Sequence, residues 1–194
     1  MGLNFNYPPG ATPLDPDEAA GLIPAHITTQ RQLNEWELAN IVEGERWAFS
    51  RKRGDLLSVQ FVKRLHKQMF GSTWRWAGIF RSTEKNIGMD PAQIATEIKK
   101  LCDDVVYQIE HKSYPLDEIA VRFHHRLTWI HPFPNGNGRH ARLMTDLLLK
   151  QNGSKPFNWG NSDLVVPGEV RDRYIAALRA ADGRDYALLF NFVR

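Results

Sequence analysis

The stretch His131–Arg142, HPFPNGNGRHAR, sets how the rest of the chain is read. It opens on a histidine and gathers Asn135, Gly136, Asn137, Gly138, Arg139 and Arg142 within a short span between two apolar helical patterns. Upstream, Leu116–Ile130 (LDEIAVRFHHRLTWI) carries Ile119, Phe123, Leu127 and Ile130 at helical spacing; downstream, Leu143, Leu147 and Leu148 continue a second helix until Gly153 caps it. Pro132 and Pro134 stop the first helix and stiffen the turn. Gly136 and Gly138 let backbone N–H groups approach a ligand at the start of the second helix, where exposed amides make an anion site. The stretch therefore reads as a helix–loop–helix corner built to handle phosphate.

This segment resembles the signature of the Fic (filamentation induced by cAMP) family, HxFx(D/E)GNGRxxR. The resemblance implies that His131 is a general base taking a proton from a target hydroxyl, whose oxygen then attacks the α-phosphorus of ATP. An imidazole suits that task at neutral pH. It further implies that Gly136, Asn137 and Gly138 hold the nucleotide phosphates. Arg139 and Arg142 supply guanidinium partners, whose planar forks match phosphate oxygens better than lysine does. Phe133 is expected to anchor the loop in the core. One position departs from the pattern: the family's Mg²⁺-liganding Asp or Glu is here Asn135, which offers an oxygen without a charge and weakens metal-assisted transfer.

Length and composition fit this reading. A chain of 194 residues, 42% hydrophobic, with six tryptophans, can bury one full core, so a single soluble domain is expected. The net charge of +3 comes without any Lys/Arg block, which argues against a nucleic-acid surface. The single cysteine, Cys102, forbids an intramolecular disulfide and fits a core position in a reducing cytoplasm. No apolar run reaches membrane-spanning length. His124 and His125, with His131 and His140, have no carboxylate at ligand spacing and do not read as a metal cluster.

In chain order, residues 1–27 are proline-rich and read as an extended N-terminal arm, and residues 28–194 as a single domain. Thr29 with Gln32 forms a capping box opening a helix over 29–52. The segment Ala39–Gly44, ANIVEG, resembles the Fic inhibitory motif (S/T)xxxE(G/N), with Glu43 and Gly44 matching and Ala39 departing. That likeness implies a glutamate paired with Arg142, blocking the γ-phosphate. Ser58–Phe70 forms the next amphipathic helix. Trp74–Gly88, WRWAGIFRSTEKNIG, alternates and predicts a short β-hairpin. It is similar to the Fic flap, which implies that Ile79, Phe80, Arg81, Ser82 and Thr83 dock a target's backbone by strand addition. Asp90 and Pro91 open a helix through Ile109, and Val170–Ala181 and Asp185–Val193 close the chain.

The fold expectation is an all-α, Fic-type helical bundle with a small β-hairpin beside the catalytic loop. Three functions stay open: transfer of AMP from ATP, with Mg²⁺, to a Ser, Thr or Tyr hydroxyl of a target protein; another Fic-type nucleotidyl or phosphoryl transfer; and a catalytically impaired nucleotide-binding regulator. The chain is also similar to the Fic subgroup called mobile mystery protein B, which shares the PNGNGRHAR variant and the LIPAHITT segment. That likeness implies a small helix-turn-helix partner protein.

Overall fold

The computed structural model describes residues 12–50, 54–161, 164 and 168–194. Within them the chain forms eight α-helices: α1 (Pro16–Ala19), α2 (Gln30–Phe49), α3 (Val59–Phe70), α4 (Ile94–Glu110), α5 (Leu116–Ile130), α6 (Asn137–Gln151), α7 (Glu169–Asp182) and α8 (Ala187–Val193). None is long and apolar enough to cross a membrane. The starts follow local chemistry. Thr29 accepts from the Gln32 N–H at 3.3 Å while Gln32 Oε1 accepts from the Thr29 N–H at 3.1 Å. Ser58 accepts from Phe61, and Asp90 from Ala92 ahead of α4. Each side chain satisfies an amide that the first helical turn cannot.

The α5–α6 corner lies where the sequence places it, and it joins two cores. One packs α2 to α6 around Phe61, Leu65, Ile98, Phe123, Leu127 and Phe133. The other packs the far ends of α5 and α6 against α7 and α8 through Leu149, Trp159, Tyr174, Leu189 and Phe192. The rigid corner is thus held from both sides.

Two expectations are corrected. No strand forms among the described residues, so the hairpin over Trp74–Gly88 is absent; the one β-bridge is Leu22 with Trp74, antiparallel. The segment's amides are taken elsewhere: Ala77 and Ile79 close tight turns onto Trp74 and Trp76, Gly78 donates to His66 Nδ1, and Arg81 donates to the Pro132 carbonyl at 2.9 Å. A buried amide needs only one partner, and these partners outcompete a ladder. The described part of the arm also departs from an extended form, because Pro16–Ala19 makes one helical turn with an Asp15/Glu18 capping box. Residues 1–11 of that arm, and the expected end of the second helix near Lys52, lie outside the described residues.

The buried face of α2 is Leu33, Glu37, Asn40, Gly44 and Ala48. Gly44 sits there for packing, since a Cβ on it would stand 3.0 Å from the Met69 backbone of α3. Gly44→Val should therefore lower stability by roughly 1–3 kcal/mol through overpacking, seen as an earlier urea midpoint; an unchanged midpoint would show that α2 and α3 can separate freely.

Candidate active site

Four elements meet at the corner: the end of α5, the start of α6, the face of α2 and the segment 76–89. His131 is the first residue beyond α5 and takes a left-handed conformation, φ 54° and ψ 60°, which costs a non-glycine residue of order 1–3 kcal/mol unless its surroundings hold it. Arg81 supplies that hold. Its Nε donates to the His131 carbonyl at 2.7 Å, and its other nitrogens reach the carbonyls of Thr83, Met89 and Ile130. Arg81 is 3% exposed, so it clamps the loop and is not available to dock a target. Gly88, φ 106°, passes so near that a Cβ would meet both Arg81 and His131 at 2.7 Å.

The loop itself is locked from within. Asn137 Oδ1 accepts from the Phe133 N–H at 2.9 Å and its Nδ2 donates to the Phe133 carbonyl at 2.7 Å. The Asn137 side chain is therefore a latch, and only its backbone faces outward as a donor. Phe133 is fully buried and stacks on His66, ring centroids 3.7 Å apart. His66 Nδ1 accepts from Gly78, so its Nε2 carries the proton and donates to the Asn135 carbonyl at 3.0 Å. His140 Nε2 likewise donates to the Val62 carbonyl at 3.0 Å. Neither ring is a ligand.

His131 Nε2 lies 2.9 Å from the Thr12 hydroxyl. Burial, and then the Arg81 charge, lower the pKa of His131 to about 4, while the Thr128 carbonyl works in the opposite direction. The ring is therefore neutral at pH 7, able to accept a proton from a hydroxyl. Beside it, α6 begins at Gly136, φ 79°, with no side-chain cap, leaving its first amides and the positive end of its dipole open. Gly136 packs against Phe70, where a Cβ would clash at 2.7 Å, whereas a Cβ on Gly138 would meet only Arg142 Nη1 at 3.7 Å. Gly136 is thus required by packing; Gly138 leaves open approach to the helix end.

The two arginines differ in environment. Arg139 Nη1 is paired with Glu37 Oε2 at 2.7 Å, both side chains largely buried, and Glu37 Oε1 accepts from Trp74 Nε1 at 2.7 Å. Arg142 is half-buried, its guanidinium 6.0 Å from the Tyr174 ring, with no ion pair among the described residues. The expected Glu43–Arg142 contact is not made, because Glu43 is exposed. Six residues beyond Glu37, it points about 120° away around the helix. Hydrophobic periodicity missed Glu37 because the face of α2 toward the site is polar: Glu37 holds Trp74 and Arg139, and Asn40 accepts from Thr73 Oγ1 at 2.9 Å.

Asn135 Oδ1 accepts from the Gly136 N–H at 2.6 Å and lies 3.4 Å from Arg139 Nη2. That lone neutral oxygen, already engaged by donors, does not make a metal cage. No group of three or more His, Cys, Asp or Glu among the described residues could hold an ion. Of the residues expected to dock a target, Ile79 is 57% exposed, Ser82 and Thr83 are exposed and Phe80 is half-buried near Phe133.

The helical bundle thus brings a buried histidine at the end of α5 up to a glycine–arginine start of α6. Residues 56–149 match the Fic/DOC family. It is similar to the protein adenylyltransferase fic-1 of Caenorhabditis elegans, 26% identical over 147 residues, covering 73% of this chain and 27% of the relative. The fic-1 protein of Caenorhabditis briggsae is 28% identical over 141 residues, covering 71% and 26%. The chain thus spans about a quarter of the length of these relatives. In fold it is similar to the N-terminal Fic domain of a VirB-translocated Bep effector from Bartonella quintana, TM-score 0.71, 18% identical, covering 86% and 82% of the two chains. It is also similar to the AMPPNP-bound BepC protein of Bartonella tribocorum, TM-score 0.69, 18% identical, covering 91% and 95%.

The buried rings generate a pH prediction. Burial lowers the pKa of His66 well below normal, with His124 and His140 falling to about 3 and His131 to about 4. Between those values and the unfolded value near 6.5, the unfolded chain binds more protons, so stability falls as pH drops, by about 1.4 kcal/mol per unit for each ring that stays neutral. Asp146, raised by burial to about 6, and Glu45, also raised by burial, have the opposite sign but are two groups against four rings. Urea midpoints should decline from pH 7 to pH 5; a flat or rising profile would contradict neutral burial.

Proposed function

We propose that the chain transfers AMP from ATP to a hydroxyl side chain of a protein, with residues 28–194 as the catalytic unit. One observation carries this: a neutral, buried imidazole, already hydrogen-bonded to a hydroxyl, stands beside an uncapped helix N-terminus. In this reading His131 accepts the hydroxyl proton as oxygen attacks the α-phosphorus. The backbone amides of Asn137–Arg139 and the Arg142 guanidinium hold the phosphates. Arg139 joins them when released from Glu37. Mg²⁺ comes with the nucleotide, held mainly by its phosphates, with Asn135 at most an auxiliary oxygen. The curated relatives are named protein adenylyltransferases, and related Fic domains hold ADP or AMPPNP; both support the reading. Asn135 supports the second reading, a slower or different nucleotidyl transfer. The mobile mystery protein B likeness further suggests a helix-turn-helix partner, and a cytoplasmic site of action is in keeping with the reduced Cys102.

The α2 carboxylate paired with an arginine of the corner is Glu37, on Arg139, and we place the restraint on ATP there. Labelled ATP with a lysate, read by gel and mass spectrometry, tests the reaction. His131→Ala should cut labelling about 10²- to 10⁴-fold and leave ATP binding intact; full activity would remove His131 as base. Glu37→Gln, which keeps an acceptor for Trp74, should tighten ATP binding and enlarge the thermal shift ATP produces, while Glu43→Gln should match wild type. Equal ATP affinity in all three proteins would relieve Glu37 of a regulatory role.

Gly138→Ala offers a separate check on the phosphate site. Because only Arg142 lies near the added methyl, the variant should melt like wild type yet bind ATP several-fold more weakly. Gly136→Ala, forced against Phe70, should lose stability instead. If Gly138→Ala binds ATP normally, the phosphates do not approach that helix end closely.

A further inference from the structure

The hydroxyl that meets His131 belongs to the same chain. Thr12 is 6% exposed, its Oγ1 lies 2.9 Å from His131 Nε2, and its carbonyl lies 3.4 Å from Asn135 Nδ2. The segment that carries Thr12 is firmly anchored. Lys85, its side chain 3% exposed, donates to Asp15 Oδ2 at 2.8 Å, to Glu18 Oε2 at 2.5 Å and to the Pro13 carbonyl at 3.4 Å. Thr83 Oγ1 donates to Asp15 Oδ2 at 2.9 Å, and Trp76 Nε1 to the Glu18 carbonyl at 2.9 Å. The Lys85 and Thr83 contacts hold the Asp15 carboxyl below its usual pKa, so it is ionised and the ion pair is intact at neutral pH.

Further along, Leu22 bridges Trp74, the Arg75 N–H donates to the Gly21 carbonyl, and the Ile23 N–H to the Thr73 carbonyl, both at 2.9 Å. A Cβ on Gly21 would stand 2.8 Å from the Trp76 ring. From Thr12 to Ile23 the chain therefore lies along residues 73–85, joined by backbone pairing at one end and a buried ammonium at the other. That is the way a peptide is captured at an exposed edge. A purely blocking residue in the same volume would not need a hydroxyl, and burying one against an unrelated group without a partner would be unfavourable. Here the hydroxyl is aimed at the nitrogen that activates hydroxyls.

We propose that Thr12 is an intramolecular acceptor, and that the chain transfers AMP from ATP to its own Thr12. This rests on the adenylyl-transfer reading. The Thr12 Oγ forms a bond to the α-phosphorus and its proton passes to His131 Nε2. The bond from the α-phosphorus to the oxygen bridging toward the β-phosphate breaks, and pyrophosphate leaves. Holding acceptor and base in contact converts a bimolecular encounter into an internal step, so Thr12 should react ahead of free targets.

The test uses the full chain with α-labelled ATP and Mg²⁺, intact mass and peptide mapping. One adenylyl group should appear on Thr12, at a rate constant unaffected by protein concentration. Thr12→Ser should keep the label and Thr12→Ala lose it, while labelling of lysate proteins by Thr12→Ala persists. Glu18→Gln, which removes one carboxylate from Lys85, should slow Thr12 labelling several-fold. Lysate proteins labelled by wild type with Thr12 unmodified would overturn this proposal and leave adenylyl transfer standing. A Thr12 labelling rate constant that rises in proportion to protein concentration would also overturn it. No label on either would overturn both.

Discussion

The site depends on the Arg81 guanidinium. A helix ends with carbonyls that have no partner inside it, and α5 ends in the protein interior, with Pro132 and Pro134 shortly beyond it supplying no amide. Arg81 reaches the carbonyls of Ile130 and His131 there, and that of Met89 beside them. Leaving such buried acceptors unmet costs about 1–3 kcal/mol each, enough together to release the left-handed turn. The same charge sits beside the His131 ring and helps keep it neutral. One side chain thus holds the turn that carries the imidazole and adds to the burial that keeps the ring neutral.

A second constraint comes from polar groups that belong to the core. Glu37, Asn40, His66, Asn137 and His140 are all buried, and each has named partners. Together they tie α2, α3, the 76–89 segment and the corner into one network. In a low-dielectric interior such bonds are strong when complete and expensive when one is missing, which gives the loop a single geometry. The hydrophobic cores on either side supply cohesion; the polar network supplies register.

This explains what the sequence could and could not disclose. The helices α3, α5 and α6 were legible because apolar spacing, Ser58, Pro132 and Gly136 all point the same way. The corner at His131–Arg142 was legible for the same reason. The side of α2 facing the site was only partly legible: its buried stripe contains Glu37, Asn40 and Gly44, whereas the inhibitory-motif likeness pointed to Glu43. The hairpin misled because alternation signals an extended chain only when neighbouring strands take its amides, and here His66 and Pro132 take them. The arm carried no periodicity; its order comes from Lys85, which lies far away in sequence.

The division of labour between the arginines follows from geometry. Arg139 projects from the first turn of α6 toward α2, where it meets Glu37 and the Phe70 ring. Arg142, nearly one turn on, is rotated toward α7 and lies beside Tyr174 and the open side of Gly138. Glu37 therefore neutralises Arg139 without an ion pair to Arg142 among the described residues. Since the two partners of a buried ion pair stabilise each other only while both are present, a nucleotide phosphate that draws Arg139 away leaves Glu37 with Trp74 as its remaining partner. Under the proposed function, ATP entry and the seating of α2 would be coupled through Glu37, and such a coupling is reciprocal: whatever loosened α2 would favour nucleotide, and nucleotide would loosen α2.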